Sequence, residues 1–225
     1  MTRQLILDLP PEPRLTRADF CTAPSNVLAL AAIDDWRAWP SRKMLLVGPR
    51  GAGKSHLAQI FAADIGAVII AAPVLATADI AALGTQGAVV VEDAETLAGN
   101  SDAEAGLFHL HNLLAATGTL LITAKSIPRD WGLALPDLIS RLQAAPLTRL
   151  NPPDDALLSA VLAKLFSDRQ LAVPTNLIPY LIARMDRSIA AARILVAALD
   201  ARALSQHRPI TRALAGELLE SHDQT

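Results

Sequence analysis

Lys43-Met44-Leu45-Leu46-Val47-Gly48-Pro49-Arg50-Gly51-Ala52-Gly53-Lys54-Ser55 is the stretch whose reading decides this chain. An apolar run enters a glycine-rich turn that ends in Gly-Lys-Ser. This completes the spacing G-x-x-x-x-G-K-[ST], with Pro49, Arg50 and Ala52 at the variable positions. An apolar-periodic segment follows (Leu57, Ile60, Phe61, Ile65), so the turn joins a strand to a helix. The glycines let successive backbone N–H groups curl around a phosphate, with the positive end of the new helix behind them. Lys54 reaches the outer phosphates as a point charge, and Ser55 offers its hydroxyl to Mg²⁺. The stretch implies a site for a nucleoside di- or triphosphate, ADP or ATP, with Mg²⁺.

Outward from the loop, apolar runs at 67–71, 88–91 and 119–123 alternate with helical patterns, and 145–150 offers a last strand. Such alternation predicts a parallel sheet covered on both faces. Helices are expected at 25–36, 102–116 and 137–142, with Ser25 or Asn26 as N-cap of the first. Trp36 and Trp39 read as packing residues. Asn151-Pro152-Pro153 marks a boundary. Beyond it the pattern is wholly helical: a helix capped by Asp154, one after Pro174 with Pro179 in its first turn, one over 188–204 and one over 211–219. The expected organisation is a tail over 1–13, an α/β nucleotide-binding core over 14–151 and a small all-α lid over 152–225.

The chain has 225 residues, 52% of them hydrophobic and 19% charged, with a formal net charge of -2. A slightly acidic chain is a poor global match for nucleic acid. No apolar run approaches a membrane span of about 18 residues. No signal peptide is legible, and the single Cys21 fits a reducing, cytoplasmic compartment. His56, His109 and His111 show no metal-ligand spacing.

Carboxylates are expected at the C-terminal edge of the sheet, and Glu92-Asp93 supplies them. Glu92 is the candidate Mg²⁺ acid and Asp93 the candidate for orienting the attacking water. The long acid precedes the short one, which shifts each reach by a methylene. Hydrolytic geometry tolerates little misplacement, so tight nucleotide binding with slow intrinsic hydrolysis is expected. Thr123, at the end of the next strand, is a candidate γ-phosphate sensor or a backbone-bonded strand end. Arg141, before the last strand, is a candidate arginine finger acting in trans.

Phosphate loop, acidic strand end, strand-end threonine, Ser140-Arg141 and helical lid together resemble the element order of AAA+ ATPases. Asp19-Phe20-Cys21-Thr22-Ala23-Pro24-Ser25-Asn26 is similar to the adenine-side motif of the DnaA initiators. Gly53-Lys54-Ser55-His56-Leu57 and Leu138-Ile139-Ser140-Arg141-Leu142 also resemble DnaA. The resemblance implies an AAA+ core with a five-stranded parallel sheet in the order 5-1-4-3-2. It also implies roles for Phe20, Asn26 and His56 on the nucleotide. The stretch 71–87 is short for the extra helix that initiators use on single-stranded DNA. An initiator's helix-turn-helix domain would follow only after the last residues here. Both features narrow the resemblance to the Hda-like, DnaA-related regulators of bacterial replication initiation.

That resemblance implies a clamp-binding peptide in Gln4-Leu5-Ile6-Leu7-Asp8-Leu9, with Gln4, Leu5, Leu7 and Leu9 as its contacts and Asp8 where a proline is common. It implies docking on the DNA-loaded sliding clamp, contact with DNA only through the clamp, and stimulation of ATP hydrolysis on DnaA by Arg141. The compartment would be the bacterial cytoplasm, with nucleoid association through the clamp. Lys125 stands where an acid is frequent in the family. The lid arginine register falls on Ala190, with Arg187 and Arg193 on either side. Whether the chain forms a homodimer is left open. The rival readings are a helicase-loader-like AAA+ ATPase on single-stranded DNA and a P-loop small-molecule kinase.

Overall fold

The computed structural model describes residues 15–115 and 118–222. Gln4, Leu5, Leu7, Leu9 and the rest of the expected tail lie outside them. Strand β1 (Lys43–Val47) is buried along its whole length and lies inside the sheet, one strand from its edge. It pairs in parallel with β4 (Thr119–Ala124) on one side and β5 (Leu147–Arg149) on the other. Strand β4 pairs with β3 (Ala88–Glu92), and β3 pairs with β2 (Val68–Ala71). The order β2-β3-β4-β1-β5 is the one the AAA+ resemblance implies.

Side chains two apart on a strand share a face, and the sheet's cores follow that period. Leu45, Val47, Val89, Val91, Leu120 and Ile122 point to one side. There they meet α4 (Ser101–Leu113) and α5 (Pro136–Ala144) through Leu107, Leu110, Leu138 and Leu142. Met44, Leu46, Val90 and Leu121 point to the other side. They meet Ile33 of α1 (Val27–Asp34) and Leu57, Ile60 and Phe61 of α2 (Lys54–Ile65). Trp39 is 5% exposed and stacks on Phe61 at 5.1 Å. That offset pair is worth about 0.5–1.5 kcal/mol beyond its buried area.

The remaining helices are α6 (Asp155–Asp168), α7 (Leu177–Ile182), α8 (Ile189–Gln206) and α9 (Arg212–His222). They enclose a cluster of their own, including Leu158, Leu162, Phe166, Leu181, Val196 and Leu199. Asp154 caps α6 as its spacing predicts, its carboxylate accepting from the Leu157 N–H at 2.7 Å. Pro179 falls at the third residue of α7, where its missing N–H costs no helical bond.

Two local expectations are refined. Asn26 occupies the N-cap position of α1 but makes no capping bond there. Its amide instead accepts from the Ala23 N–H at 2.9 Å and donates to the Cys21 carbonyl at 2.8 Å. It thus fixes the loop before the helix. The stretch 71–87 holds a 3-10 turn (Ala72–Ala76) and a six-residue helix α3 (Ile80–Thr85), which apolar periodicity alone did not reveal. Asp79 caps α3 through the Ala82 N–H.

The segment ahead of α1 straps core to lid. Arg17 bonds both Asp34 of α1 and Asp64 of α2, the latter at 3.0 Å. These carboxylates hold the guanidinium above its ordinary range, Asp34 most strongly. Two residues on, Asp19 meets Lys164 of α6 at 3.0 Å. Cys21 and Ala23 pack into the lid cluster itself. Among the described residues no helix is long and apolar enough to cross a membrane.

Candidate functional site

Gly53 takes φ +107 at the N-cap of α2, a left-handed conformation in which a Cβ is strained. The loop bends there and brings Gly51, Gly53 and the start of α2 to the wall of a cavity of about 700 Å³. Arg50, Lys54 and Ser55 come from the loop side; Asp93, Glu95 and Lys125 come from the ends of β3 and β4. The lid contributes Ile189, Ala190, Arg193 and Ile194 of α8. Four cationic side chains therefore face two carboxylates in a space that suits a small polyphosphate ligand.

Lys54 is 7% exposed, and its ammonium donates to the carbonyls of Gly48 (2.9 Å) and Pro49 (3.2 Å). Burial pushes the ammonium down, and Asp93 and Glu95 counter it. Gly48 is held against Leu150, whose carbonyl lies 2.4 Å from where a Gly48 Cβ would stand. Gly51 adopts φ +75 and lies under Ser188, 2.6 Å from the nearest atom a Cβ would meet. Its carbonyl accepts from the Ile189 N–H at 2.8 Å. Ser188 caps α8 by accepting from the Ala191 N–H. The N-terminal end of this long helix, with its partial positive charge, is thus docked on the phosphate loop.

His56 also lines the cavity. Its Nε2 meets the Thr16 carbonyl at 2.7 Å, and its ring stands edge-on to Phe20 at 5.1 Å. Burial lowers its proton affinity, the Thr16 carbonyl opposes that, and nearby Arg193 lowers it further. Phe20 and Asn26 do not wall the cavity themselves. Phe20 backs His56, and Asn26 sets the loop that carries Phe20.

The acidic strand end divides its tasks. Asp93 lines the cavity with a left-handed backbone (φ 54), and its N–H donates to Thr123 Oγ1 at 3.2 Å. Thr123 is 1% exposed and makes the backbone bond that a strand-end threonine offers. Glu92 sits behind the cavity wall, and its Oε1 is buried with no hydrogen-bond donor. An orphaned buried carboxylate oxygen at the end of β3, with the exposed Ser55 hydroxyl on the first turn of α2, fits a divalent cation completed by phosphate and water oxygens. Ser55 would bind it directly, with Glu92 acting through water.

Glu95 was not singled out by the sequence, yet it lines the cavity and accepts from the Lys125 N–H at 3.2 Å. Lys125 Nζ lies 3.6 Å from its other oxygen. The lid arginines also separate. Arg193 faces the cavity and is half-buried, whereas Arg187 is exposed and bonds Asp155 at 2.7 Å. Arg141 stands apart from all of these. It is exposed on α5, with its guanidinium 5.3 Å over the Phe108 ring.

No family model matches the sequence. Among solved structures the chain is similar to domain III of the Thermotoga maritima replication initiation protein DnaA. That match has a TM-score of 0.79 at 18% identity, over 93% of this chain and 97% of that one. The chain has the AAA+ fold of DnaA domain III. It is also similar to AMPPCP-bound DnaA from Aquifex aeolicus (TM-score 0.73, 16% identity, 86% of this chain and 67% of that one). Similarity extends to a RuvB mutant of Thermotoga maritima (TM-score 0.65, 19% identity, 86% and 66%). The chain thus spans about two-thirds of the length of these longer relatives. In the AAA+ fold the candidate site lies between the α/β layer and the lid, at the carboxyl ends of β1, β3 and β4.

Proposed function

We propose that this protein is a DnaA-related AAA+ regulator that holds ADP or ATP with Mg²⁺ in its own cavity and acts on nucleotide bound by another chain. The observation that carries this reading is the separation of Arg141 from the chain's own cavity. Its guanidinium is exposed on Phe108, and no carboxylate lies within ion-pair distance among the described residues. An unneutralised arginine on a rigid helix can enter a partner's active site and stabilise transition-state charge. By the resemblance of Leu138–Leu142, that partner is ATP-bound DnaA.

In the chain's own site, Lys54, Arg50 and the loop amides bind the phosphates, and Arg193 reaches them from the lid. Ser55 and Glu92 hold Mg²⁺. Asp93 orients water, but the order Glu92-Asp93 shifts each acid's reach by a methylene, which favours retention of nucleotide over rapid turnover. Gln4, Leu5, Leu7 and Leu9 tether the chain to the sliding clamp, which brings Arg141 to DnaA on DNA. The core over 14–151 binds the base and phosphates, and the lid over 152–225 closes the site.

The test combines purified protein, DNA-loaded clamp and ATP-bound DnaA. The wild-type chain is expected to accelerate hydrolysis, and Arg141→Ala to lose about 10³-fold or more of that acceleration while binding ADP normally. Equal rates for the two proteins would remove the finger. Clamp capture that survives changing Gln4 and Leu5 to alanine would remove the tether.

A further inference from the structure

We propose that Glu104 is the positioning residue of Arg141, a role that rests on the finger reading above. Glu104 is 1% exposed, on α4, and meets no cationic side chain within ion-pair distance among the described residues. A carboxylate so deeply buried is costly unless every lone pair finds a donor. Here the donors are backbone amides. Oε1 accepts from the Ala134 N–H at 3.1 Å. Oε2 accepts from Ala134 at 2.9 Å and from Leu135 at 2.8 Å.

Those two amides lie immediately before Pro136, the first residue of α5. Leu135 stands at the N-cap position and has no side chain that could cap the helix. Glu104 takes over that task from a neighbouring helix, with its charge at the positive end of α5. Charge-assisted bonds of this kind are about twice as strong as neutral ones.

Phe108 lies one helical turn along α4, so Glu104 and Phe108 share a face. That face holds α5 at two points: Glu104 at its entry and Phe108 beneath the Arg141 guanidinium. Leu138 between them, and Leu142 just past Arg141, anchor the buried side of α5. Rotation or slippage of α5 would move Arg141 by whole ångströms, and a misplacement of about 1 Å can cost 10²-fold in rate.

Glu104→Gln keeps the shape but removes the charge, and with its carbonyl oxygen at the Oε2 position its NH₂ group stands against the Ala134 N–H. Four proteins are compared in the clamp- and DnaA-dependent hydrolysis assay: wild type, Glu104→Gln, Arg141→Ala and the double variant. Amide hydrogen exchange at Ala134 and Leu135, and ADP affinity, are measured alongside. Glu104→Gln is expected to exchange those amides at least about tenfold faster. Its maximal rate should fall about tenfold or more, with half-saturation in DnaA and ADP affinity within about twofold. The double variant should be no slower than Arg141→Ala.

Full activity of Glu104→Gln while Arg141→Ala is inactive would overturn the positioning role alone. Full activity of Arg141→Ala would overturn the finger reading. Multiplied losses in the double variant, or a parallel loss of ADP affinity, would show general destabilisation and reject the proposal. Should Glu104→Gln fail to fold, Glu104→Asp keeps the charge on a shorter arm. A maximal rate below wild type at unchanged half-saturation supports positioning, and a wild-type rate rejects it.

Discussion

The Ile189 N–H donates to the Gly51 carbonyl across 2.8 Å, so the first residue of lid helix α8 is bonded directly to the phosphate loop. Ser188 closes the same contact from the side. Loop and lid are therefore joined by a backbone bond, through which the proposed nucleotide site would sense lid position.

Gly51→Ala tests that contact. The new Cβ would meet Ser188 Cβ at 2.6 Å and Oγ at 2.9 Å, with φ already at +75. Overpacking of this kind costs about 1–3 kcal/mol. The expected outcome is an ADP dissociation constant raised about tenfold or more, with a lower melting temperature. Unchanged binding and melting would show that the lid does not dock this way.

Arg193→Ala and Arg187→Ala separate the two lid arginines. Burial pushes the Arg193 guanidinium below its ordinary value, though an arginine remains charged at neutral pH. Losing one charge-assisted phosphate contact costs about 1.5–3 kcal/mol, so ADP or ATP affinity should fall about 10- to 100-fold. Arg187 pairs with exposed Asp155, and its removal should change affinity less than about twofold. Titration of a fluorescent nucleotide reads both; the opposite ranking would refute this geometry.

His111 predicts a pH dependence. It is buried in α4 with Nδ1 unpartnered, and burial first, then Lys43 and Arg141, lowers its pKa to about 4. The unfolded chain binds this proton near pH 6.5 and the folded chain only near 4. The neutral ring's contribution is thus complete above about 6.5 and is lost as pH falls toward 4. Between pH 7 and 5 the wild type should lose about 2 kcal/mol of stability from this group. Urea midpoints for wild type and His111→Gln at both pH values check it: the variant should show a smaller acid loss. His56, also lowered by burial, adds a share common to both proteins.

Strands, loop and helix boundaries were legible because each follows a local rule. The phosphate loop needs its glycines in series, the buried strands need unbroken apolar runs, and Asp154 caps where an acid precedes a helix. The six-residue α3 was not legible, since it is too short for a periodic stripe and carries no fully buried residue. Glu95 and Glu104 escaped notice for another reason: a carboxylate in a helix or turn reads as a solvated surface group until its partners are known.

The sequence by itself determined a nucleotide-type loop, parallel strands alternating with helices and a helical C-terminal region, because backbone conformation follows residue type and spacing; the strand order came only from the family resemblance. Only the tertiary structure decided which lid arginine enters the cavity and that Thr123 bonds the Asp93 amide. It alone placed Arg141 on Phe108, away from its own phosphate loop. Those outcomes depend on side-chain directions set by packing between segments far apart in the chain. No local pattern carries that information.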